Sequence, residues 1–98
     1  MEYKLRDGVA FLRVCGANLL VPSRAASPYC KGILTLNFIE TMICSKLQKG
    51  ETVADAAEII GRFAMKSAGE IMPKVQPSID KLCKYGFLIP VEDEHGSD

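Results

Sequence analysis

The chain has 98 residues, 48% of them hydrophobic, and its 12 basic and 12 acidic side chains cancel. That length holds one domain with a modest core. Charge balance argues against tight nonspecific nucleic-acid binding, which rests on phosphate neutralisation, and no apolar run approaches the roughly 20 residues of a membrane span.

From Gly8 to Cys15, GVAFLRVC is apolar and β-prone, with Ala10, Leu12 and Val14 on one face and Val9, Phe11 and Arg13 on the other. Gly16-Ala17-Asn18 reads as a short turn and NLLVP as the returning strand of a hairpin. Pro22 lacks the N–H that a ladder needs, so it ends that strand or sits at an edge. SRAASPYC, residues 23–30, is small, polar and Pro-containing, which marks a loop. KGILTLN then gives a third strand, with Leu34 and Leu36 on one face and Ile33 and Thr35 on the other. Ile33 is expected to be exposed.

At Asn37 the apolar period changes from two to 3.6 without a loop. Phe38, Ile39, Met42, Ile43 and Leu47 recur at helical spacing, Asn37 is a favoured N-cap, and Glu40 stands where its carboxylate reaches back. Gly50 suits the C′ position, with Lys46 and Lys49 near the negative end of the dipole. A second helix starts from Thr52, with Asp55 at its third position and a stripe of Val53, Ala56, Ile60 and Phe63, widened by Ala57 and Ala64. Gly61 inside it marks close packing against a neighbour. Ser67-Ala68-Gly69 suggests a break. A third helix is expected to start between Pro73 and Pro77 and to end at Tyr85, with Val75, Ile79 and Leu82 as its stripe and Gly86 as its cap. FLIPV runs out extended, and EDEHGSD reads as an acidic, disordered tail.

The expected fold class is α+β, a three-stranded antiparallel sheet followed by a three-helix bundle in the order β-β-β-α-α-α. Two tightly joined helices plus a third, with a small sheet attached, have the parts of a winged helix-turn-helix. The division is a single domain over 1–91 and the tail over 92–98. The N-terminus, MEYKLRDGVAF, has no apolar run for a signal peptide, which points to the cytoplasm.

No enzyme constellation is found: no phosphate-binding glycine loop, no H-E-x-x-H and no G-x-S-x-G. Cys15, Cys30, Cys44 and Cys83 form no C-x-x-C pair, and His95 is the single histidine. Metal sites need clustered ligands, so the cysteines read as small reduced apolar residues and no metal or cofactor is expected. Glu51, Asp55 and Glu58 form an acidic group, but it starts a helix, where carboxylates complement the dipole. Cys83 lies at a helix C-terminus, where the dipole raises rather than lowers a thiol pKa. The expectation is therefore a non-enzymatic binding module with two surfaces. One is the third helix, Arg-free, with Lys74, Lys81 and Lys84. The other is the sheet edge, whose unpaired backbone groups can take an extended peptide as a further strand.

Three features resemble the PqqD family, also called RiPP recognition elements, over about Leu5 to Pro90. They are the Leu36-Asn37 strand-to-helix junction, the link LQKGETVADAAEII, and the ending LCKYGFL. The resemblance implies a small peptide chaperone of natural-product biosynthesis. It would bind the leader of a ribosomally made precursor and present it to a modifying enzyme, typically a radical S-adenosylmethionine (radical SAM) enzyme. It also implies a leader added to the third strand, in the groove beside the third helix. That assigns peptide contacts to Lys31, Gly32, Ile33, Leu34 and Thr35 on the strand and to Val75, Ser78, Ile79 and Leu82 on the helix. Read from the residues themselves, Leu34 and Leu82 fit core better than contact. The chain departs from the family in its longer SRAASPYC connection, in two prolines in the third helix, and in Lys74 where relatives place an acid. The alternatives are a winged-helix DNA-binding regulator, which the neutral charge opposes, and a subunit that forms a homodimer through the same sheet edges.

Overall fold

A computed structural model describes residues 2–91. The elements of this small α+β protein run β1 (Glu2–Leu5), β2 (Val9–Val14), β3 (Ala17–Pro22), a 3-10 turn (Ser27–Tyr29), β4 (Leu34–Thr35), α1 (Phe38–Gln48), α2 (Val53–Ala64), α3 (Ala68–Lys84) and β5 (Leu88–Val91). The expected tail, 92–98, with His95, lies outside the described residues.

The three central strands form the antiparallel sheet β2-β3-β4. The hairpin turns at Cys15-Gly16, one residue before the position expected from Gly16-Ala17-Asn18. Both residues have positive φ, 51° and 82°, as the tight two-residue hairpin turn requires. The β-β-β-α-α-α order needs a correction. Strand β1 precedes the sheet, and β5 follows the helices to pair with it antiparallel, from Glu2↔Val91 to Leu5↔Leu88. EYKL is too short to declare itself, and its partner is far away in sequence, so no local pattern shows the pairing.

All three helices begin with the same device. Asn37, Thr52 and Ser67 each accept from the backbone N–H three residues on, and Glu40, Asp55 and Glu70 each reach back to the cap N–H. Each such cap stabilises its helix by about 1 kcal/mol. The start of α3 is therefore Ala68, not a residue between Pro73 and Pro77. Both prolines lie inside the helix and both are exposed. They are four residues apart on the outer face, so the carbonyls they leave without an N–H partner, at Gly69 and Pro73, are open to water. Glu70 also puts an acid in the first turn of α3, one turn before Lys74.

The helices close over the sheets around Leu20, Ile43, Ile71, Val75, Ile79, Leu82 and Phe87, all fully buried. Each large apolar side chain so buried stabilises by roughly 1.5–3 kcal/mol before chain entropy is counted. Gly61 is buried against the link between α2 and α3, where a Cβ would lie 2.6 Å from the Lys66 carbonyl oxygen. Phe63 and Ala64 leave the expected stripe. Phe63 is 72% exposed and meets Phe38 edge-to-face, with ring centroids 5.4 Å apart. No helix among the described residues is long and apolar enough to cross a membrane.

Candidate functional site

Strand β4 is an outer strand, and the ladder tells which of its backbone groups are free. The register pairs Leu20 with Leu34 and Leu19 with Thr35, and the Leu36 N–H donates to the Asn18 carbonyl at 2.8 Å. Hydrogen-bonded pairs alternate in an antiparallel ladder. Leu34 and Leu36 therefore turn their backbone groups toward β3 and Thr35 turns its own outward, while Ile33, one residue before the strand, stands next in that alternation. The Ile33 side chain is 65% exposed beside that edge.

The edge is short but firmly braced. At its far end the chain passes directly into α1 through the Asn37 cap. At its near end the Lys31 N–H donates to the Tyr85 carbonyl at 3.1 Å, and the Cys30 thiol donates to the Gly86 carbonyl at 3.5 Å. Gly86 has φ 90° and lies directly against the Tyr29 carbonyl, so no side chain fits there. Arg6 completes the brace. Its Nε donates to the Gly86 carbonyl at 2.7 Å and its guanidinium sits 4.8 Å from the Tyr29 ring centroid.

Beside this brace two ammonium groups share one ring. Lys31 Nζ and Lys81 Nζ lie 5.2 Å and 5.8 Å from the Tyr85 centroid, within cation–π range. Behind them Glu40 is only 1% exposed. One carboxylate oxygen accepts from the Asn37 N–H at 3.0 Å and the other lies 2.9 Å from Lys81 Nζ. That second contact is a close ion pair whose angles fall outside good hydrogen-bond geometry. Polar contact with Glu40, aided by its charge, raises the Lys81 ammonium above its ordinary pKa against some desolvation. Nearby, burial and then the Glu40 charge push the Cys44 thiol up to about 12, which makes it inert.

The expected contact residues divide. Lys31, Gly32, Ile33 and Thr35 are exposed on or next to the edge, and Leu34 is half-buried against the core. On α3 only Ser78 is partly open. Val75, Ile79 and Leu82 are buried, and their side chains present nothing to a ligand. The same period that marks a binding face marks a packed one, and here α3 spends that face on the core. The residues at the end of α3 that meet Lys31 beside the edge are Lys81 and the C-cap Tyr85, four apart on one face. In the sequence Lys81 is one of several α3 lysines and Tyr85 a helix end. The i, i+4 spacing was the available signal, but nothing local brings Lys31 to them.

A second exposed region is apolar: a hollow of about 320 Å³ lined by Ile59, Arg62 and Phe63, with Arg62 Nη2 2.6 Å from Glu58 Oε1. Among the described residues no group of three or more His, Cys, Asp or Glu side chains comes together to hold a metal ion. Comparison of the chain with protein-family models, with curated proteins and with solved structures finds no match.

Proposed function

We propose that the protein is a non-catalytic peptide-binding module of the PqqD-like kind. An extended leader segment of a ribosomally made precursor adds to β4, and the module presents that precursor to a modifying enzyme, a radical SAM enzyme being the expected partner. The observation that carries this reading is the outward backbone of Thr35, with exposed Ile33 just before it, on a braced outer strand tied to the C-terminal end of α3 through Lys31 and Tyr85. Free donors and acceptors on that edge give an incoming strand its register. Lys81 and Tyr85, which meet Lys31 at the end of the edge, supply side-chain contacts in place of the buried Val75, Ile79 and Leu82, and Ser78 is the one partly open residue of the expected helix face. The sheet followed by three helices fits a winged-helix-like domain, to which β1 and β5 add a second, two-stranded sheet.

Strand addition suits a carrier. It gains affinity from main-chain hydrogen bonds, each contributing about 0.5–1.5 kcal/mol net, and asks for no reactive side chain. The test is titration of isotope-labelled protein with the leader segment of a short precursor encoded beside its gene. The amides of residues 31–36 should shift, those of Ile33 and Thr35 most. Unmoved amides over that span, with the peptide present in excess, would remove the strand-addition model.

A further inference from the structure

Overall neutrality hides a segregation of charge. Four of the twelve acidic residues lie in 92–98, so residues 1–91 carry twelve basic and eight acidic side chains. Between Asp7 and Glu40 there is no acid at all, while Arg13, Arg24 and Lys31 are basic. That span contains the whole β2-β3-β4 sheet. At the end of the free edge, Lys31 and Lys81 converge on Tyr85. Lys81 is neutralised from behind by Glu40, and among the described residues Lys31 has no carboxylate within ion-pair distance. The cluster is thus one positive charge in excess, held in place by a ring and a buried carboxylate, at the point where the edge stops. Gly32, at φ 78°, turns the backbone between Lys31 and the edge.

We infer that the β4 edge selects an acidic extended peptide and seats a carboxylate at the Lys31–Tyr85–Lys81 cluster, about two residues along the peptide from the position beside Ile33. This deepens the strand-addition reading and rests on it. A carboxylate there accepts from the Lys31 ammonium and the remaining N–H groups of Lys81, a charge-assisted contact, without displacing Glu40. The wider basic sheet draws an anionic peptide toward the edge over a Debye length of roughly 10 Å.

The test is selection of displayed random twelve-residue peptides on the full chain, on Lys31→Glu and on Thr35→Pro. Lys81→Glu would set a second carboxylate against Glu40, so Lys31 carries the charge reversal and Lys31→Gln supports it. On the native chain, Asp and Glu should be enriched about three- to tenfold at one position, the size of a single partly exposed charge contact. Lys31→Gln should erase that enrichment and Lys31→Glu should turn it toward Lys and Arg, while Thr35→Pro should lose selection altogether. Enriched peptides that depend on Thr35 but show no acidic position, or keep it on Lys31→Glu, overturn the charge inference and leave strand addition standing. Selection indifferent to Thr35→Pro, or no enrichment of any peptide, overturns both.

Discussion

Strands β2 and β4 flank β3 on opposite sides, and each turns backbone groups away from the sheet. On β4 that residue is Thr35, with Ile33 just before the strand. On β2, where Val14 pairs with Ala17 across the turn, they are Val9, Phe11 and Arg13, the Val9 N–H being taken by the Arg6 carbonyl. The number of free backbone groups therefore does not favour β4, and what sets the two edges apart is their surroundings. The outer half of β2 is exposed at Leu12, Arg13 and Val14 and leads only to the hairpin tip. β4 is locked between the Asn37 cap and the Tyr85–Gly86 helix end, next to two lysines. An edge becomes a recognition site when its position is fixed beforehand and a side-chain feature sets the register, because ordering costs are then already met. An edge without those features is merely a strand to be kept from pairing, and the charge of Arg13 serves that end.

The hardest blow to this comparison falls on the strand the two edges share. Leu20 is fully buried in β3. Leu20→Ala should cost about 2–5 kcal/mol, read by chemical denaturation, and should loosen both edges together in hydrogen exchange. Loss of protection at only one of them would mean that they are not held by a common strand.

Next come paired prolines. Thr35→Pro and Arg13→Pro each remove an outward N–H and spare the ladder. Peptide affinity should fall at least about tenfold for the first, near 1.4 kcal/mol, and stay unchanged for the second. Equal losses would make the edges equivalent. Asn37→Ala is milder, about 1 kcal/mol. It should raise amide exchange at residues 34–40 while leaving β2 untouched.

The thiols give the finest distinction. Exposed Cys15 reports on the β2 tip and should be alkylated fastest, ahead of Cys30 beside β4, whose pKa burial raises against the pull of Arg6. Cys44 should react only on unfolding. Its thiol form is favoured in the folded state, so that contribution to stability is complete below pH 9.0, its ordinary value, and is lost as pH rises to about 12. In Cys44→Ala the alkaline fall in stability over that window should flatten.

The caps at Asn37 and Thr52 were legible because a cap, a carboxylate three residues on and an apolar period all agree there. Ser67-x-x-Glu70 is the same signal, yet Pro73 and Pro77 outweighed it, since proline usually marks a first turn. Only their exposure on one face makes them tolerable inside a helix, and exposure is a tertiary property. The strand half of the site could be read from KGILTLN, whose alternation shows which residues face out. The helix half could not, because Val75, Ile79 and Leu82 look the same to a periodicity argument whether they meet a ligand or the core. Lys31, Tyr85 and Glu40 come together only through the crossing at Gly86, which joins segments more than fifty residues apart.

Pairing Glu2 with Val91 has a further consequence. Register partners in such a ribbon lie about 4.5–5.5 Å apart, so the chain enters and leaves the described domain at one spot, on the β1–β5 ribbon and not on β4. A domain with adjacent entry and exit is portable. It can be spliced into a surface loop of a larger protein, or strung in tandem, with only a few linker residues. It can also be recut, with residues 2 and 91 joined by a short glycine link and new ends opened at the exposed Cys15-Gly16 turn. Such a recut chain should keep β4 and its lysines in place, since neither the joined ends nor the new ones touch that edge.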